Sequence, residues 1–365
     1  MKNIRFVILA LAALAVLAGW LWWRHANQNH LPAALYLSWD EEGHIQLYRT
    51  EINGKKPAQL TQETADILNF APSPNGKQIA YATAREDGGS DLWLADNNGR
   101  RRRRLIACPD AVCDQIVWHP DSRRLLYERR SLDTPNLPHL WWLGTDSRET
   151  IPLEEVLDGP SQAARFSADG SWVSYVVSPD QGLEFYHFTD GRHFLLPAEM
   201  GTPAVWHPTE PTFLYRRQQV IVAHSDSGSD HQGHSHNFSL AVYLFLGNVD
   251  GRAGEPISGE DVVDDGTPAW SPNGEWIVTG RKSPRVDTGR QLWLMRPDGS
   301  EAHALTNDQT IHHGVPSWSP DGRYILYQRF NVLTPNQPPG VWMFNMVTGE
   351  TTEIASRGFS PVWEP

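Results

Sequence analysis

Short segments in which apolar and polar residues alternate run through most of this chain, cut apart by turns rich in Gly, Pro, Asn and Asp. One landmark recurs among them, a residue (most often Trp) just before Ser-Pro, His-Pro or an equivalent pair. It falls at Pro72, Trp118, Phe166, Trp206, Trp270, Trp318 and Trp363, with gaps of 46, 48, 40, 64, 48 and 45 residues. After each landmark except the last comes a short apolar strand: "QIAYAT", "RLLYER", "WVSYVV", "TFLYRR", "WIVTGR" and "YILYQR". A further strand follows, such as "DLWLAD" or "QLWLMR", then a turn such as "NNGR" or "PDGS", then a weaker outer strand such as "AHALT". A period of this length with four β segments predicts four-stranded antiparallel blades in an all-β propeller. No long amphipathic helix interrupts the pattern.

The first unit is short by one strand. Residues 34–60 supply "ALYLSW", "HIQLYR" and "PAQLT" but no opening strand, while the C-terminal "SPVWEP" is an opening strand with nothing after it. An unpaired sheet edge invites pairing with other chains, so a ring is expected to close on itself. The spacing therefore predicts that the C-terminal strand completes the first blade. Seven landmarks then predict a seven-bladed propeller over residues 34–365.

"PAWSPNGEWIVTG…QLWLMRPDGSEAHALT" and "PSWSPDGRYILYQ…VWMFNMVTGETTEIA" resemble the TolB-type (WD-like) β-propeller repeat. "FSADGSWVSYVV" and "PSPNGKQIAYAT" are fair matches, and the unit from Trp206 is degenerate. The resemblance spans nearly all of 34–365 and implies the fold. It implies little about function, since propellers host binding and enzyme roles alike. TolB itself joins its propeller to an N-terminal α/β domain for which no segment is seen here, so a Tol–Pal role is not carried over. The G-x-S-x-G elbow of propeller-linked hydrolases is absent from the sequence.

The opening residues follow another pattern. Lys2 and Arg5 precede an uncharged run from Phe6 to Trp23, and Arg24 follows. Eighteen apolar residues make roughly 27 Å of helix, close to the thickness of a hydrocarbon core. Trp20, Trp22 and Trp23 stand at its end, where indoles favour the interface. Residues 1–25 are read as an uncleaved signal anchor and transmembrane helix, and 26–33 as a linker. Val16-Leu17-Ala18 offers the alternative of a cleaved signal, which would make the propeller a secreted one. Either way the propeller is expected outside the cytoplasm. The resemblance makes the host envelope bacterial, with the propeller on the extracytoplasmic side of the cytoplasmic membrane. The net charge of -12 argues against nucleic acid as a partner. Export permits disulfides, and "ACPDAVC" offers one between Cys108 and Cys113 across a Pro-Asp turn.

Strand parity separates two faces. Turns after the first and third strands of each unit are short and uniform. Connections after the second and fourth include 131–139, 223–239, 258–266, 282–290, 307–314 and 331–340, and hold nearly all the length variation. Variable loops on a rigid scaffold are where binding usually resides. His224, His231, His234 and His236 lie in the longest loop, as candidate ligands for a divalent metal such as zinc or as part of a solvated loop. A metal-buffering role for that loop is a further option. Asp264, Asp265, His312 and His313 just precede inner strands. They are candidate ligand-binding residues at the channel mouth, where they could hold zinc, manganese or calcium, act as acid and base, or simply cap turns. Arg100 to Arg104 suit edge protection or contact with anionic lipid or glycan. The function expected is a non-catalytic, membrane-tethered scaffold for an envelope protein, peptide or glycan. The alternative is an exported metal-dependent lyase or hydrolase acting on sugars or lactones.

Overall fold

The computed structural model describes residues 32–52, 56–153, 159–178, 181–198, 200–222, 238–251, 254–259, 261–284, 288–334 and 336–365. Residues 1–25, most of the linker after them and the four histidines from His224 to His236 lie outside the described residues. None of the helices among the described residues is long and apolar enough to cross a membrane.

Five sheets have four antiparallel strands each. One joins Phe359–Trp363, Ala33–Trp39, Ile45–Glu51 and Ala58–Gln59, in that order. The next runs Ile67–Pro72, Gln78–Ala84, Ser90–Asp96 and Arg103–Cys108. Ala111–Trp118, Arg124–Ser131, His139–Gly144 and Thr150–Pro152 form the third. Gln162–Phe166, Trp172–Ser178, Gly182–His187 and His193–Leu196 form the fourth. Ile311–Trp318, Tyr324–Asn331, Gly340–Asn345 and Thr351–Ala355 form the last.

The count of seven separate blades is corrected. Strands between Val205 and Ala304 make one eight-stranded sheet rather than two of four. The cause is the two-residue strand Asp264–Asp265, which pairs antiparallel with Lys282 and Arg281 and parallel with Val242 on the other side. It stitches the hairpin Thr212–Val222/Phe238–Asn248 to Ile277–Lys282.

Head and tail share a sheet as the missing strand requires, with Ala34 opposite Trp363, Leu35 opposite Val362 and Leu37 opposite Phe359. Glu364 N–H also donates to the Ala33 carbonyl at 2.8 Å.

The landmark tryptophans explain why neighbouring sheets stay together. Each indole N–H donates to the carbonyl of the residue just before the preceding landmark. The pairs are Trp118 to Ala71 (2.9 Å), Trp206 to Arg165 (3.2 Å), Trp270 to Val205 (3.1 Å), Trp318 to Ala269 (3.3 Å) and Trp363 to Ser317 (2.9 Å). A buried indole needs a partner for its N–H, and here the partner lies in the neighbouring sheet, except that Trp270 and Val205 belong to the two halves of the eight-stranded sheet. Nine residues after a landmark stand Tyr81, Tyr127, Tyr175, Tyr215 and Tyr327, with Tyr36 in the sheet that Trp363 completes. All six are among the largest fully buried side chains. Apolar clusters span adjacent sheets, such as Ala34, Tyr36 and Trp363 with Leu326 and Val341.

The Ser-Pro turns are self-stapled. Ser319 Oγ donates to Asp321 Oδ1 at 2.6 Å and accepts the Tyr324 N–H at 3.0 Å, and Ser271 repeats this with Asn273 and Trp276. Gly274 has φ +72°, and an added Cβ would meet His207 Nε2 at 2.0 Å, so only glycine fits there.

Candidate functional site at the channel mouth

The candidate carboxylates and imidazoles do gather on the long-loop face, but most are already engaged. Asp265 is fully buried. Its oxygens accept from Arg281 Nε at 2.7 Å and NH2 at 2.9 Å, and Oδ2 also accepts from Ser258 Oγ at 2.6 Å. Asp264 points the other way, as neighbours on a strand must. Both its oxygens lie 2.7 Å from Arg290 NH2, with Lys282 Nζ at 4.0 Å.

Arg290 reaches this place because two neighbours lack side chains. A Cβ on Gly280 would meet Arg290 Cβ at 3.5 Å and the His313 carbonyl at 2.8 Å, and one on Gly266 would meet Arg290 Cδ at 3.3 Å. Arg290 Nε is buried with no hydrogen-bond partner among the described residues. Arg216, from the strand Thr212–Val222, reaches the Asp265 carbonyl at 3.5 Å. Burial first, and then the like charge of Arg290, hold its guanidinium below the usual arginine value. Among the described residues Arg216, Arg281, Lys282 and Arg290 gather around Asp264 and Asp265, with Asp261 in the cleft that Arg281 and Lys282 also line. Four cations against these three carboxylates leave the cluster net positive, in a chain whose net charge is -12.

The imidazoles are packed rather than poised. The His312 ring stacks on Phe330 with centroids 4.5 Å apart, and the buried His313 sets Nδ1 3.2 Å from the Arg290 carbonyl. Burial pushes both down to about 4, so they are neutral at physiological pH. No group of three or more His, Cys, Asp or Glu side chains converges among the described residues as a metal cage would require. A divalent ion at Asp264 or Asp265 would have to displace arginines, so this donor set does not fit the metal reading.

A second feature lies deeper. A cavity of about 430 Å³ is walled by first strands of five sheets, at Leu68, Gln115, Arg165, Val315 and Ser360 among others. Several of these strands bulge where they meet it. Gln115, Ala163, Val315 and Ser360 take left-handed φ values of 49–54°, each next to a register shift. Neighbouring sheets brace these bulges: Glu128 Oε1 accepts the Ala163 N–H at 2.6 Å, and Asn69 Oδ1 accepts the Ile116 N–H at 3.0 Å. Arg165 was not singled out by sequence reasoning, although a signal existed. The residues just before the landmarks are Ala71, Val117, Arg165, Val205, Ala269, Ser317 and Val362, and Arg165 alone is charged.

Other candidates fall elsewhere. Cys108 and Cys113 are joined by a disulfide between the strands Arg103–Cys108 and Ala111–Trp118. The arginine run serves local pairing, with Arg102 on Glu63 at 2.7 Å, Arg103 on the Thr145 carbonyl at 2.7 Å and Arg104 on Asp91 at 3.1 Å.

No known family model matches this sequence, and no curated protein does. Solved structures do resemble the fold. TolB from Acinetobacter baumannii aligns with TM-score 0.52 and 13% identity, over 92% of this chain and 67% of that one. An oligogalacturonate lyase in complex with manganese gives 0.59 and 14%, over 89% and 85%. The β-propeller domain of the Trilobed protease from Pyrococcus furiosus, described as having an open velcro topology, gives 0.56 and 14%, over 89% and 96%. Identities this low speak for architecture alone. The chain is an all-β, TolB-like propeller built on four-stranded antiparallel blades.

Proposed function

We propose that this propeller is a non-catalytic, membrane-tethered scaffold on the extracytoplasmic side, which binds an envelope protein, peptide or glycan through its long-loop face. The observation that carries the reading is the set Arg216, Lys282 and Arg290 around Asp264, set over the buried Arg281–Asp265 pair. The carboxylates serve as struts for guanidinium groups, and the histidines are neutral packing elements, so no group there is positioned as a general base. What remains is a preorganised, positively charged platform suited to an anionic patch on a partner. A cleft of about 590 Å³ beside it, lined by Lys282, Thr288, Gln291 and Gln309, extends the surface.

A pull-down from solubilised envelope membranes tests this. The full chain is compared with an Arg216→Gln/Arg290→Gln variant and with a chain trimmed at 131–139 and 331–340. Retained species should be lost from the charge variant and should elute from the full chain as salt is raised. The same species retained by all three, or none by any, would overturn the reading.

A further inference from the structure

Arg165 is the one charged residue in a ring of channel positions otherwise filled by Ala, Val and Ser. Arg165 is exposed, and the solvent it meets is that of the lumen, whose wall it helps to form. Among the described residues its guanidinium makes one hydrogen bond, NH1 to the Ala164 carbonyl at 2.6 Å. A guanidinium carries five donors, so most of its capacity is unspent on protein. The carboxylate whose field offsets it is Glu128, which lies outside ion-pair distance and is held by the Ala163 N–H. The wall around this cation is mostly apolar, with Leu68, Phe70, Ile116, Val315 and Val362, and is interrupted by Asn69, Gln115 and Ser360.

We infer that the lumen is a binding site for a small amphiphilic monocarboxylate, its carboxylate on Arg165 and its apolar body against Leu68, Phe70 and Ile116. The size argues for a small molecule, since about 430 Å³ lies within the range of ordinary ligand pockets. A single guanidinium, already under the field of Glu128, matches one negative charge better than two. The planar fork of arginine fits a carboxylate with two parallel hydrogen bonds. This site is separate from the loop-face platform and stands without it.

Calorimetric titration of the purified full chain with 4-phenylbutyrate, and with 4-phenylbutanamide as the uncharged twin, tests the proposal. The acid should bind one to one and the amide should not. Arg165→Gln should weaken the acid roughly tenfold or more, the scale of a charge-assisted pair. Arg165→Lys should retain part of the affinity, and Glu128→Gln, which keeps an acceptor for Ala163, should tighten binding. A thermal melt of each variant separates lost binding from lost folding, and Arg165→Lys carries the test if Arg165→Gln does not fold. No binding of the acid, equal binding of acid and amide, or unchanged affinity in a folded Arg165→Gln chain would overturn the proposal. Binding of only a Phe-terminated peptide with a free carboxylate would also overturn it, by assigning the lumen to a chain end.

Discussion

Trp363 donates its indole N–H to the Ser317 carbonyl 2.9 Å away, so the last strand of the chain is clasped to the sheet before it as well as paired with Ala34 in its own. Trp363 is also buried against Tyr36 and Leu326. The closing strand is therefore held on both sides.

Trp363→Ala removes the clasp and leaves a void at the seam. The expected loss is about 3–5 kcal/mol, the range for deleting a buried aromatic. Trp206→Ala, at a more exposed site, should cost less. Urea denaturation midpoints of the two variants check this; equal midpoints would show that ring closure does not depend on the seam.

Asp265 and Arg281 form a buried pair, 0% and 7% exposed. Asp265→Asn leaves a guanidinium uncompensated in the interior and should cost about 3–5 kcal/mol. An Asp265→Leu/Arg281→Met double variant should recover much of the loss, because the desolvation cost disappears along with the attraction. The same denaturation series reads both. A double variant no more stable than the single one would contradict the pairing.

His312 and His313 stay neutral in the folded chain down to about pH 4. In the unfolded chain they protonate near the ordinary value of about 6.5. Between these limits the unfolded state binds more protons, so stability falls as pH drops from about 6.5 to 4 and is unaffected by them above that window. For the buried His313 the loss reaches about 3 kcal/mol at pH 4. Stability curves at pH 7, 5 and 4 should flatten in a His312→Gln/His313→Gln variant. An unchanged slope would place the acid sensitivity elsewhere.

The disulfide Cys108–Cys113 closes a loop of six residues, with a sequence separation of 5. Loop-closure entropy for so short a ring is about 2 kcal/mol. Reduction by a soluble dithiol should lower the melting midpoint by a matching few degrees and leave the overall β circular dichroism intact. Loss of the whole fold on reduction would refute so local a role.

The ring and its closure were legible in the sequence because they rest on local signals: period-two strands, Ser-Pro-Asp-Gly turns and an opening strand displaced to the end. Fusion of two sheets into one was not. It depends on Val242 meeting Asp264 across 22 residues, a parallel contact with no local signature. Asp264, Asp265, His312 and His313 could be picked out by residue type and position, but the partners that engage them were hidden. Arg290 reaches Asp264 only because Gly266 and Gly280 vacate the space, and an unfilled volume leaves no mark on hydrophobic periodicity. Arg165 was visible as a break in a column of small neutral residues, a signal that appears only once the repeats are aligned on their landmarks.

The meeting of Ala33 with Glu364 also sets a direction. Pro365 lies against Gly76 in a Ser-Pro turn, so the polypeptide enters the ring through its uniform side. Any handle attached to the leading residues grips the molecule from behind. The irregular loops, and the arginines beneath them, then look outward toward whatever approaches from the opposite direction.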